Sequence, residues 1–182
     1  MTNADASPSP LGAHGRRVIA GNAAVAAATS AMELEETLDG GWSRFFANAL
    51  TGERWLETWM QGERQGGGYR VLIRLPRPKR KDWLELVAHS SHPTEIWVAA
   101  MALGDDPESY GALLRVLVGA ARRGERQRVG IGAAWSGITS PMNRRTILGK
   151  GAGEITTDAE HFEHLAAEAS QLLARACEDA GV

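Results

Sequence analysis

The chain has 182 residues, 20 Lys+Arg against 22 Asp+Glu for a formal net charge of −2, and a hydrophobic fraction of 43%. That length and apolar content bury a core, which excludes disorder throughout, and no stretch of eighteen apolar residues exists to cross a bilayer. A single cysteine, Cys177, excludes an intrachain disulfide and a cysteine zinc cluster, and the near-balanced charge argues against a surface given over entirely to nucleic acid.

Residues 1–15 are rich in Ser, Pro, Gly, Asn and Asp and read as a disordered tail. Arg16-Arg17 before the Ala-rich VIAGNAAVAAATSAM imitates a signal peptide, but Asn22 interrupts the stretch and the basic pair starts far from Met1. The reading preferred is an Ala-rich helix over 17–38, ended by Asp39-Gly40-Gly41. A lone thiol fits a reducing compartment, so the expected location is cytoplasmic. In residues 42–65, Trp55 and Trp59 are four apart, as are Leu56 and Met60, which places each pair on one helical face. Thr51 is read as an N-cap. Residues 16–65 are therefore expected to form a helical, Trp-rich N-terminal extension, divided from a core domain at 69–182 by Gly66-Gly67-Gly68.

From Tyr69 the period becomes two. Tyr69, Val71, Ile73 and Leu75 alternate with Arg70, Leu72 and Arg74, which predicts a strand stopped by Pro76 and Pro78. The same alternation predicts a second strand over 83–89 and a third over 95–103. The third is apolar on both faces and is expected to be central or covered twice. Asp106 as N-cap and Pro107 at the first position open a helix with Tyr110, Leu113, Leu114, Leu117, Val118 and Ala121 on one stripe, closed by Gly124. Alternation over 127–135 and a Gly-rich segment over 144–156 predict a β-hairpin. Thr157-Asp158-Ala159-Glu160 reads as a capping box before a last helix carrying Phe162, Leu165, Ala166, Ala169, Leu172, Leu173 and Ala176. The expected class is α+β: an antiparallel sheet, made of a β-meander and a β-hairpin, with helices on one face in the order α-βββ-α-ββ-α.

That order over 42–182, with the capped helix DDPESYGALLRVLV and the closing ITTDAEHFEHLAAEASQLLARA, resembles the type III secretion chaperone-like fold. The resemblance implies a small dimeric adaptor that binds an unfolded segment of a secreted protein and dimerises through its middle helix and neighbouring strands.

No catalytic constellation emerges. His161 and His164 lie three apart on the polar side of the last helix, and His89 and His92 flank a predicted turn, with nothing to bring the two pairs together as metal ligands. Ser136 lacks the flanking glycines of a nucleophile elbow, and Cys177 has no identifiable base. Leu148-Gly149-Lys150-Gly151-Ala152-Gly153 lacks the Ser/Thr that follows Lys in a phosphate-binding loop. The reading is a non-enzymatic module with no cofactor and no metal. Six tryptophans are many for this length and mark interfaces when a core cannot hide them. Trp97, Met101 and Leu103, with Trp55 and Trp59, are the expected partner-binding residues, used for homodimerisation or for capture of an extended protein segment. The alternative reading is nucleic-acid association. It would use basic loops at 74–81, 122–128 and 144–150, with Arg77, Lys79, Arg80, Lys81, Arg122, Arg123, Arg144, Arg145 and Lys150 as phosphate contacts.

Overall fold

The computed structural model describes residues 15–61 and 68–179. Nearly all of the tail expected at 1–15, and the glycines at 66 and 67, lie outside the described residues. The class is α+β, built from an antiparallel sheet and helices. The chain forms two compact units, Met1–Pro78 and Lys79–Val182, so the division follows the strand at 69–74 and does not fall at the triple glycine.

The first unit contains the whole sheet. Its strands are β1 (Val18–Ala20), β2 (Glu33–Leu38), β3 (Ser43–Ala47), β4 (Arg54–Met60) and β5 (Tyr69–Arg74), in the spatial order β1-β5-β4-β3-β2 with antiparallel neighbours. One short helix, α1 (Asn22–Thr29), joins β1 to β2. The expected helix at 17–38 thus shrinks to eight residues, and the expected helical extension carries four strands and more strand than helix. Two local devices explain the change. The Asp39–Gly41 turn, with Gly40 at φ 64° and Gly41 at φ 102°, is a hairpin turn and not a helix stop. Asn48 Oδ1 accepts from the backbone N–H of Leu50 and Thr51, so the residue read as a helix N-cap sits in an Asn-led turn between β3 and β4.

The register sorts the side chains. Trp55, Glu57 and Trp59 of β4 share a face with Arg44 and Phe46 of β3, and with Arg70 and Leu72 of β5. Val25 of α1 packs there in a cluster with Ile19, Phe46, Trp55 and Leu72, fringed by Ala28 and Met32. Trp55 is fully buried at its centre.

The second unit is helical: α2 (Arg80–His89), α3 (Pro93–Gly104), α4 (Tyr110–Arg122), α5 (Arg126–Ser136) and α6 (Ala152–Asp179). The helix expected after Asp106 is present as α4, and the final helix as α6, but the strands expected at 83–89, 95–103, 127–135 and 144–156 are absent. At α3 the physical reason for the difference is plain. A run apolar at every position satisfies a two-residue and a 3.6-residue period alike, and α3 is apolar all round because it lies in the interior, with Val98 to Met101 wholly buried. Pro93 at its start and Glu95 in its first turn are helix signals. In α2 the buried pair is Trp83 and Val87, four apart; in α5 the buried positions are Val129, Gly132 and Ser136. Gly137, left-handed at φ 63°, stops α5. Residues 157–160, read as a capping box, lie inside α6, whose first turn begins where the glutamate of Glu154 accepts from the Gly151 N–H at 3.0 Å.

Helix α5 comes close to its neighbours because its inner residues are small. A methyl group on Gly132 would press into the branched tip of Leu117 on α4. A leucine tip can rotate aside, so Gly132→Ala costs about 1 kcal/mol. Urea unfolding checks this; a loss above about 3 kcal/mol would mean the tip is locked.

Candidate functional site

Of the five residues expected to bind a partner, three are unavailable. Met101 and Leu103 are buried in α3, and Trp55 is the centre of the sheet-unit core. Trp97 is half-buried and lies on Trp135 of α5, ring centroids 5.0 Å apart. The expected seam along 95–103 is therefore an internal helix packing, because the residues form a helix surrounded by helices and not a strand with a free face. Trp59, like Trp97, stays partly exposed. It is half-buried and meets Trp42 edge-to-face at 5.9 Å, and Trp42 is 54% exposed.

Several of the basic residues are already engaged within the chain. Arg80 Nη2 pairs with Asp106 Oδ2 at 2.7 Å, and Arg123 Nε with Glu125 Oε1 at 2.6 Å. Arg145 Nη1 reaches Asp158 Oδ1 at 2.8 Å, and Lys150 Nζ bonds the other oxygen of the same carboxylate. Asp158 sits on the buried stripe of α6, four residues before Phe162. The ammonium of Lys150 and then the guanidinium of Arg145 hold its carboxyl below the ordinary range, against the opposing effect of burial. Arg144 is half-buried, with its Nε shielded from solvent and its guanidinium close to Gly137. Arg77, Lys79, Lys81 and Arg122 are exposed. Four of the nine expected phosphate contacts, Arg80, Arg123, Arg145 and Lys150, are thus already in ion pairs within the chain.

Two features were not legible beforehand. The first is a charged cluster on the α1 side of the sheet. Glu57, whose side chain is 2% exposed, takes Arg70 Nη2 at 2.9 Å and Nε at 3.0 Å, and Arg44 through Nε at 3.1 Å and through Nη2. Burial alone would push this carboxyl up; hydrogen bonds and charge from Arg70, then Arg44, overcome that and hold it below 4.5. The register brings them together: Glu57 stands opposite Arg44, and Arg70 stands opposite Trp59, one diagonal step away.

The second is the sheet edge. Among the described residues β2 pairs only with β3, and all six of its residues are exposed. Its register places Leu34 and Thr37 on the α1 side, with Leu38 on the other. Leu34 is 51% and Leu38 40% exposed, and Trp42 follows the turn. The strand carries Glu33, Glu35 and Glu36, with Arg54 Nη2 bonded to Glu35 at 2.8 Å, and a bulge interrupts the register between Leu34 and Glu36. Such an edge offers unpaired backbone groups between apolar and acidic side chains, while like charge opposes pairing with itself.

Among the described residues no group of three or more His, Cys, Asp or Glu side chains could hold a metal ion, and no helix is long and apolar enough to cross a membrane. His89 reaches Glu85 one turn away on its own helix, and His161 lies edge-on to Phe162. Comparison with known proteins finds no family model, no curated protein and no solved structure that matches this chain.

Proposed function

We propose that the chain is a non-enzymatic, adaptor-like protein-binding module that takes an extended, basic segment of a partner protein as an added strand on β2. The observation that carries this reading is the fully exposed edge of β2, with Leu34 and Leu38 on its two faces and three glutamates along it. Strand addition draws affinity from main-chain hydrogen bonds and specificity from alternate side chains. A segment alternating apolar residues with Lys or Arg supplies what this edge lacks, and its charge steers it there. Capture of an extended segment is also what the resemblance to secretion chaperones implies. The helix–meander–helix–hairpin–helix order behind that resemblance is not the order found, so the proposal rests on the edge.

The test uses two synthetic peptides, one alternating Lys with Val and one alternating Glu with Val, with Trp42 fluorescence as readout. The basic peptide binds, the acidic one does not, and hydrogen exchange slows at β2 amides. The double substitution Leu34→Lys and Leu38→Lys weakens binding by about tenfold. Equal binding of both peptides, or protection appearing elsewhere than β2, sinks the proposal. The nucleic-acid alternative has less support, since the internal carboxylates Asp106, Glu125 and Asp158 already hold cations from each of the three basic loops.

A further inference from the structure

A separate surface lies in the helical unit. Helices α4 and α6 pack with Tyr110 edge-on to Phe162 at 6.1 Å, and between them runs an open groove of about 500 Å³. Its floor is apolar: Leu114 and Val118 from α4, Leu165 and Leu172 from α6, all half-buried. Gly111 and Gly119 leave the α4 wall low, since a methyl group at either would meet nothing nearer than an arginine tip at 3.9 or 3.5 Å. The two walls differ in charge. Arg115 and Arg122 rise from α4, and Glu168 from α6. All three are exposed, and among the described residues none of the three side chains has an ion-pair partner.

That pattern is self-complementary. A two-fold axis running along the groove lays α4 of one molecule over α6 of a second copy, and α6 over α4. Arg115 and Arg122 then face Glu168 of the second copy, the same pairs form again across the axis, and the four leucine and valine side chains of each floor are covered. Other occupants fit less well. An amphiphile with an anionic head would meet the carboxylate of Glu168, and nucleic acid would meet an apolar floor. We infer that the α4–α6 face is a homodimer interface, formed by two copies of this chain about an axis along the groove. This surface is distinct from β2 and does not depend on the strand-addition reading.

Sedimentation equilibrium of the full chain over the micromolar range tests it, with charge reversal as the decisive arm. Wild type is a dimer. Arg115→Glu with Arg122→Glu raises the dimer dissociation constant by about tenfold or more, and Glu168→Arg alone does the same. Combining all three reverses both walls and returns the constant to within about threefold of wild type, because the complementarity is restored with opposite sign. Circular dichroism confirms that the single and combined variants stay helical, and all three positions are exposed. Leu34→Lys with Leu38→Lys leaves the mass unchanged. A monomeric wild type, a dimer indifferent to the reversals, or a failure of the triple variant to recover would each overturn the inference.

Discussion

Replacing Glu57 with glutamine destabilises the sheet unit by about 3 kcal/mol, read as faster hydrogen exchange across β3, β4 and β5 and a lower urea midpoint. The variant keeps the size of the side chain and removes its charge. Two guanidiniums are then left beside an uncharged amide inside a sheet face, and a buried ion-pair partner lost in this way costs about 3–5 kcal/mol. The lower end applies, because the Arg44 and Arg70 side chains are 35% and 18% exposed and recover part of their hydration. The contrast variant is Glu57→Leu with Arg44→Leu and Arg70→Leu, which removes all three charges together and lies within about 1 kcal/mol of wild type. The pH dependence follows from the lowered carboxyl. Glu57 binds its proton less readily in the folded chain than in the unfolded one, so its contribution is fully present above the ordinary value of 4.5. It is lost as pH falls through the lower folded value. The gap between wild type and Glu57→Gln is therefore constant near neutrality and closes in acid. A gap that stays the same well below pH 4.5, or no gap at neutral pH, defeats this account.

Gly104→Ala is the second severe substitution, expected to cost about 3 kcal/mol in urea unfolding while far-ultraviolet dichroism keeps its helical form. The Cβ of an alanine here would stand 2.5 Å from the carbonyl oxygen of Ser136 and 3.0 Å from its Cα and carbonyl carbon. These are backbone atoms at the buried end of α5, and no rotamer moves them out of the way. The last turn of α3 must part from α5. Tyr110 binds the carbonyl of Gly104 through its hydroxyl at 3.1 Å, so the displacement also loosens the start of α4. The same methyl group on Gly132 meets only a leucine tip and costs far less. Equal losses for the two variants would show that the α3–α5 contact yields as easily as a side chain does.

The places where sequence reading succeeded share a cause. The strand at 69–74, the helix after Asp106-Pro107 and the helix through 162–176 each carry a pattern that matches one period and contradicts the other. In α4, spacings of three and four residues, a Pro near the start and a Gly beyond the end leave no strand alternative. The α+β class also follows from such segments. Where the spacing is four, both periods agree. Trp55 and Trp59 share a face whether the backbone is a helix or a strand, so their pairing did not discriminate, and neighbours β3 and β5 decided for strand. At 96–103, where every residue is apolar, periodicity carries no information. Burial inside a helical unit made the segment α3, and that reversed the role of Met101 and Leu103 from seam to interior and laid the half-buried Trp97 on Trp135.

What the amino-acid order determined alone was local: which segments bury a stripe, where glycine and proline interrupt, and that no cluster of cysteines exists. Tertiary structure decided everything that depends on partners far apart in the chain. Glu57 gains its arginines only because β3 and β5 flank β4, and Asp158 gains Arg145 and Lys150 only because a loop folds back on α6. A charge read along the chain looks solvated, since its neighbours in sequence are not its neighbours in space. The open edge of β2 was hidden for the converse reason. An edge is defined by the strand missing beside it, and that can be known only once the order β1-β5-β4-β3-β2 is in place.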